Sequence, residues 1–400
     1  MGKAGERRYD DRGSLGAASA EGSRQGDIPA RVAVVYGGPS PEHDVSILTG
    51  LQAVHALARA PGIDRVRSLY WSKSGEWFEV PPATEAAGFL EGVPSNSVRL
   101  RLISGPGGGF VRPGGGLRAR EDHLELDGAL LCCHGGPGED GSLQGALDLA
   151  GVRYSGPSAI GAFLGMDKLA FGALMGYAGL PALARVPFDD VSDAPDFSPP
   201  YILKPRFGGS SIGIEVVADF ATARARLAAN PHLRRGCVLE PYREDMFDLQ
   251  LAARSWPELQ LSAVERPLRT RAGGEILGYQ DKYVGAEGMT SAPRELPAEI
   301  DPGLADRIRA LAREIALLVG LRGVARLDFL SDGEDLFVNE INTIPGSLSH
   351  YLFIDPKLPF TTLLLDLLTE AMARPAANYS SAGSDGSVLR VAGSIASKLG

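Results

Sequence analysis

The chain has 400 residues, 44% of them hydrophobic, and carries a formal net charge of −9 at pH 7. That length exceeds one ordinary core and predicts two or three domains packed together, while the apolar fraction is that of a globular protein. No run reaches the roughly 18 apolar residues a membrane span needs, and the acidic balance argues against a general nucleic-acid binder while leaving room for a local basic pocket around a small anion.

The opening MGKAGERRYDDRGSLGAASAEGSRQGD has basic residues but no following apolar stretch, so it does not read as a secretory signal. Residues 1–29 are expected to form a disordered leader. The apolar run 32–35 then predicts a buried strand, Gly-Gly-Pro a loop, and residues 45–58 a helix, which is how an α/β domain opens. Residues 99–122 are glycine-rich and polar, predicting a surface excursion. GALLCCH (128–134) predicts a second strand, GGPGEDG a glycine loop, and residues 142–150 a helix. Of the three cysteines, Cys132 and Cys133 are adjacent in an apolar strand and Cys237 is distant. That supports core packing in a reducing cytoplasm rather than a disulfide framework or a zinc site.

MDKLAFGALMGYAGL has helical period and stops at Gly179, with Pro181 beyond. PYILKPRFGGSSIGIEVV predicts strand, glycine–serine loop, strand. FATARARLAAN predicts a helix and GCVLEPY a further strand. Strands are expected near 247–254 and 259–265, then a loop containing DKYVGAEGMTSAP and a helix over 302–318. RGVARLDFLS and LFVNEIN predict a hairpin around a tight turn at Asp332-Gly333. After Arg374 the sequence is of low complexity.

Three lysines fall at strand ends, helix starts or loops: Lys168, Lys204 and Lys282. A lysine in such a place is commonly a solvated surface group. Lys204 differs, because it lies inside the apolar YILKP, where an ammonium must be paired or face a site. It leads into GGSSIG (208–213), a loop without P-loop spacing that reads as a plain hairpin connection or as backbone N–H groups closing over phosphates. In VARLDFL, Arg326 and Asp328 share one strand face, and the partner strand brings Glu340 and Asn342 to one face as well. This is either a solvated edge hairpin or a set of oxygen donors for Mg²⁺ or Mn²⁺. With a two-residue turn, Asp328 would lie opposite Phe337, staggering the donors. That stagger suits two metal ions about 4 Å apart, with Arg326 stabilising negative charge beside them. Glu42 and His43 follow the first strand and His134 the second, where α/β folds place ligand sites.

Taken in order, GGPSPEHDVS, HGGPGEDGSLQG, YSGPSAIGAFLGMDK, ILKPRFGGSSIG, DKY, ARLDF and NEINTIPGS resemble the motifs of D-alanine–D-alanine ligases of the ATP-grasp superfamily, over about residues 31–359. The resemblance implies an α/β protein, α+β in its ATP-grasp part, with a three-domain ATP-grasp fold around one cleft. Its parts would be a Rossmann-like substrate domain (30–157), a central lid domain (158–245), a catalytic domain (246–375) and a flexible tail (376–400). It implies ATP and two Mg²⁺ (or Mn²⁺) as cofactors and D-amino acids as substrates. It further implies a cytoplasmic homodimer that engages neither nucleic acid nor membrane and makes a peptidoglycan precursor through an acylphosphate.

Carried over position by position, Lys168, Lys204, Ser211 and Lys282 would contact ATP phosphates. Glu240 and Tyr242 would line the adenine pocket and Asp248, after a one-residue shift, the ribose. Asp328, Glu340 and Asn342 match metal ligands, and Arg326 with the Gly346 backbone the groups that stabilise the tetrahedral intermediate. Glu42 matches the carboxylate that receives the first substrate's ammonium, in a triad with Ser210 and Tyr283. His134, His350 and Tyr351 match substrate-cleft positions. Tyr283 favours an amine acceptor over a hydroxy acid. Tyr351 departs from a serine frequent in the family that helps hold the second substrate's carboxylate, so the alternative expectation is an ATP-grasp ligase with altered acceptor specificity.

Overall fold

The structure, a computed structural model, describes residues 28–114, 121–268, 293–375, 377 and 379–392. Its first sheet forms because residues 32–36, apolar on both faces, disappear from solvent completely, as central parallel strands do. This strand, β1 (Arg31–Gly37), pairs in parallel with β2 (Arg65–Trp71) on one side and β7 (Gly128–Leu131) on the other. Helix α1 (His43–Leu57) makes the crossover and buries Ile47, Leu51 and Val54 against the sheet.

Within 99–122, expected to be a surface excursion, described residues instead extend this sheet. β3 (Trp77–Val80), β4 (Val98–Ile103), β5 (Gly109–Arg112) and β6 (Asp122–His123) add antiparallel strands. Leu100, Phe110 and Val111 are buried there; an alternating pattern among glycines hid a half-buried strand pair. Cys132 and Cys133 are core residues, as expected.

The loop after β7 runs through the short helix α2 (Gly136–Glu139) into α3 (Ser142–Ala150), which ends on Gly151 at φ 70°, the left-handed stop that glycine supplies. α4 (Ala159–Met166) is followed at once by α5 (Lys168–Tyr177). The break falls at Asp167, whose carboxylate accepts the N–H groups of Leu169 and Ala170, an N-cap that sets Lys168 as the first residue of its helix. The apolar face of α5, Phe171 and Met175, joins the core of the third sheet.

The second sheet comprises β8 (Val186–Phe188), β9 (Tyr201–Pro205), β10 (Glu215–Val217) and β11 (Cys237–Pro241), covered by α6 (Phe220–Ala229) over a small core. The third comprises β12 (Phe247–Arg254), β13 (Gln260–Leu261), β16 (Val324–Ser331) and β17 (Leu336–Asn342). β14 (Arg266–Pro267) and β15 (Arg294–Glu295) pair beside it. α7 (Pro302–Leu318), capped by Asp301, buries Ile308, Ala312 and Ile315 on this sheet. The chain then returns to the first core, where α8 (Phe360–Ala373) places Leu363, Leu364, Leu367 and Leu368.

The hairpin differs from the tight turn expected. Pairing closes at Ser331 and Leu336 around a four-residue loop, in which Asp332 Oδ1 accepts the N–H groups of Glu334 and Asp335. Beyond Phe329 and Val338 the register shifts, and Asp328 pairs with Glu340. The residue left over is Asn339, the extra member of a β-bulge. Asp328 and Glu340 therefore face each other directly rather than standing staggered.

Candidate active site

A cavity opens between the second and third sheets and is lined by Lys168, Lys204, Asp248, Arg326, Asp328 and Glu340, among others. Ser211, Glu240, Tyr242 and Tyr351 also line it. Sequence positions up to 183 apart thus line one cavity. Lys168 and Lys204 both line the cavity beside the glycine–serine loop. Lys168 donates to the Gly208 carbonyl at 2.6 Å and lies 3.6 Å from Glu340. Burial holds its ammonium below the usual lysine range, and Glu340 opposes that effect. Lys204 donates to Glu240 at 2.8 Å and to Asn339 Oδ1 at 3.2 Å.

Glu240 is 1% exposed. Its carboxylate is held by Arg185 at 2.6 Å on one oxygen and Lys204 on the other. Burial alone would raise its pKa, but the two cations reverse this and keep it below the usual carboxylate range. The Glu240 carboxylate therefore positions Lys204, and Glu240 lines the cavity together with the following Pro241 and Tyr242. Arg185 also donates to the backbone carbonyls of Lys168 and Asn339, at 2.8 and 3.1 Å. One guanidinium thus ties together α5, β11 and the bulge beside Glu340. Sequence inspection missed Arg185, which sits in an unremarkable ALARVPF, and Asn339, whose role depends on the bulge.

On the facing sheet, Arg326 grips Asp328 with two hydrogen bonds of 2.7 Å, and the Asn342 amide lies 3.2 Å from Asp328. The Asp328 and Glu340 side chains are 16% and 26% exposed, both on the cavity wall. Two opposed carboxylates with the Asn342 side-chain amide beside them, its Nδ2 donating to Asp328, offer hard oxygen donors, and protein cations balance their charge. This set fits Mg²⁺ or Mn²⁺. Among the described residues no three His, Cys, Asp or Glu side chains cluster for a metal, so the set depends on Asn342 as its third donor.

At the carboxyl ends of β1 and β7, Glu42 accepts the hydroxyl hydrogen of Ser210 from the second sheet's loop. Ser210 and Ser211 both have left-handed backbone, φ 50° and 59°, a conformation costing a non-glycine residue roughly 1–2 kcal/mol each. A Cβ on Gly209 would come within 2.8 Å of Glu42 Oε2, so glycine lets the loop approach this carboxylate. His43 belongs to the core, held by the Gly38 carbonyl and the Tyr70 hydroxyl.

His134 is brought elsewhere than the cleft wall. It is buried, with Nδ1 2.6 Å from the Ile344 carbonyl and Nε2 2.7 Å from the Thr49 hydroxyl. Glu139 of the same loop accepts the N–H groups of Gly135 and Ile344 at 2.9 and 2.7 Å. Together they hold the turn containing Gly346, where Ser347, Leu348 and Ser349 stand at φ 46–50°. Thr49 also accepts the Ser347 N–H at 3.1 Å. His350 turns to the Leu358 carbonyl at 2.8 Å and to the Phe360 ring. Lys282 and Tyr283 lie outside the described residues.

Two family models match the chain: D-ala D-ala ligase N-terminus over residues 31–157 and D-ala D-ala ligase C-terminus over residues 191–358. A D-alanine–D-alanine ligase of Bradyrhizobium sp. (strain ORS 278) is 31% identical over 360 residues, covering 86% of this chain and 96% of that relative. Among solved structures, the D-alanine–D-alanine ligase of Coxiella burnetii superposes with a TM-score of 0.69 at 18% identity, covering 91% of this chain and 98% of the other. The VanG D-Ala:D-Ser ligase of Enterococcus faecalis gives a TM-score of 0.67 at 24% identity, covering 85% and 99%.

Proposed function

This chain belongs to the D-alanine–D-alanine ligase family, and we propose that it is an ATP-dependent ligase that joins two D-alanines for peptidoglycan precursor synthesis. The first carboxylate attacks the γ-phosphorus of ATP, giving an acylphosphate and ADP. The amine of the second attacks the acyl carbon, and inorganic phosphate leaves as the peptide bond forms. Phosphoryl transfer asks for alignment and charge neutralisation more than for covalent protein chemistry.

In this reading Lys168 and Lys204 hold ATP phosphates beneath the loop bearing Ser211, with Tyr242 and Asp248 at the nucleoside end. Lys282 and Tyr283 complete the phosphate and first-substrate sites. Glu42, oriented by the Ser210 hydroxyl, takes the ammonium of the first D-alanine. Arg326 and the Gly346 N–H stabilise negative charge on the tetrahedral intermediate. Asp328, Glu340 and Asn342 would hold two Mg²⁺ (or Mn²⁺), whose chemistry is to neutralise and align phosphate oxygens. The observation that carries the reading is the arrangement across the cavity: the buried Lys168 ammonium lies 3.6 Å from Glu340, whose register partner is Asp328.

Phosphate release with ATP and Mg²⁺, titrating D-alanine against L-alanine, D-serine and D-lactate with product masses recorded, tests this. Turnover on D-alanine alone with the dipeptide as product supports it. No turnover on D-alanine, but turnover with another amino acid, favours the second reading of an altered acceptor, which Tyr351 on the cavity wall motivates. Among the described residues no helix is long and apolar enough to cross a membrane. We place the enzyme in the cytoplasm as a homodimer acting on small molecules, engaging neither nucleic acid nor membrane. Sedimentation showing only a 42.2 kDa species would remove the dimer.

A further inference from the structure

Four side chains line up across the third sheet. Glu265 bridges Gln250, Gln250 pairs with Asp328, and Asp328 pairs with Glu340. Directly paired residues point to one face, and all four line the cavity. Neighbouring strands stand about 4.8 Å apart, so Glu265 lies roughly 10 Å from Asp328 and 14 Å from Glu340 along this row.

Three cations accompany the row in order. Lys168 stands at the Glu340 end, 3.6 Å away. Arg326 holds Asp328 at 2.7 Å in the middle. Arg294 lies at the far end, Nη1 2.9 Å from Glu265 Oε1, with its guanidinium carbon 4.8 Å over the centre of the Tyr351 ring. Gln250 donates to the other Glu265 oxygen, fixing the carboxylate that orients Arg294.

Under the ligase reading, Lys168 belongs to phosphate and Arg326 to the reacting carbonyl. An α-amino acid acceptor brings an amine to that carbonyl and must leave its carboxylate a few ångströms beyond, away from the phosphates. An unpaired carboxylate in a partly closed cleft is costly. A guanidinium has five N–H donors, enough to keep Glu265 and take a second carboxylate. Its aromatic seat restricts it to one plane.

We propose that Arg294, seated on Tyr351 and oriented by Glu265, binds the carboxylate of the acceptor amino acid and so determines acceptor specificity. This rests on the ligase reading and assigns its acceptor end. The order phosphate, carbonyl, carboxylate then reads directly along the row from Glu340 to Glu265. Tyr351 becomes the platform of the acceptor site rather than a lesion in it.

The test is a one-pot competition between D-alanine and D-alaninamide as acceptors, with ATP and Mg²⁺. D-alaninamide has no carboxylate to activate, so it enters only as acceptor, and the ratio of dipeptide to dipeptide amide reads acceptor choice independently of overall rate. The wild-type enzyme should favour the dipeptide. Arg294→Ala should lower that ratio by about 10- to 100-fold, the worth of one charge-assisted hydrogen bond, and Arg294→Lys by less. An unchanged ratio in Arg294→Ala overturns the proposal. If that variant does not fold, an Arg294→Lys ratio equal to wild type overturns it instead. Wild-type enzyme that makes neither product from D-alanine overturns the ligase reading, and this assignment with it.

Discussion

Folding transfers a proton between two buried side chains behind the Gly346 turn, and replacing His134 with glutamine exposes that exchange. Thr49 accepts the Ser347 N–H, so its own hydroxyl hydrogen goes to His134 Nε2, and His134 Nδ1–H donates to the Ile344 carbonyl. Burial, with Arg326 adding to it, depresses the His134 pKa from 6.5 to about 4. Burial raises Glu139 from 4.5 to about 7, helped by Glu42 and opposed by its bonds to Gly135, Ile344 and Thr343. Between about pH 4.5 and 6.5 these shifts put the proton on His134 in the unfolded chain and on Glu139 in the folded chain. The two linkage effects have opposite signs. The depressed histidine lets the unfolded state bind the extra proton, so its contribution to stability is lost as pH falls from 6.5 to about 4. The raised carboxyl gives the native state the extra proton, so stability falls as pH rises from 4.5 to about 7. Each slope is about 1.4 kcal/mol per pH unit, and they cancel where they overlap. His134→Gln removes the first alone. Near neutral pH the variant should be less stable by about 1–3 kcal/mol through the disturbed hydrogen bonds. Relative to wild type, that deficit should shrink by about 3 kcal/mol as pH falls to about 4. Urea unfolding of both chains in parallel at each pH measures this, because groups common to both drop out of the difference. A deficit that stays constant across the window would refute a neutral, buried His134.

Glu340→Gln should lower turnover on the order of a thousandfold and abolish its response to added Mg²⁺, since several kcal/mol of charge stabilisation are lost; near-normal activity would remove the metal assignment. Gly209→Ala puts a Cβ 2.8 Å from Glu42 Oε2, and because that oxygen ends a flexible side chain the fold should survive while the carboxylate moves. The KM for the first D-alanine should rise about tenfold, the loss of one hydrogen bond to a charged group, with the KM for ATP steady; an equal rise in both would contradict it. Arg185→Met takes one of two cations from the buried Glu240, and about 3 kcal/mol of stability should go with it. ATP affinity should fall too, because Lys168, Lys204 and Asn339 lose a common tether; a destabilised variant with unchanged ATP affinity would confine Arg185 to a structural role.

Local signals carried much of the reading. Period and stop chemistry marked α5, because Gly179 and Pro181 act on backbone within a few residues of themselves. Residue type alone marked Lys204 as a group needing a partner, since an ammonium in an apolar strand has few ways to be satisfied. The alternation in VARLDFL and VNEIN put the acidic side chains on one face. Ordered motifs carried the family resemblance.

What the tertiary structure alone decided is how distant segments meet. The bulge at Asn339 sets Asp328 against Glu340, and a register shift of one residue has no signature in the strand's own pattern. The clasp made by Arg185 reaches a residue 154 positions away, so no local window contains it. His134 and Glu139 occupy a motif that reads as cleft-facing, yet the strained turn at Ser347–Ser349 needs them as its backbone partners. Pairing between remote chains is fixed by packing and by the demand that each buried polar group find a partner, and that demand is met only in the assembled fold.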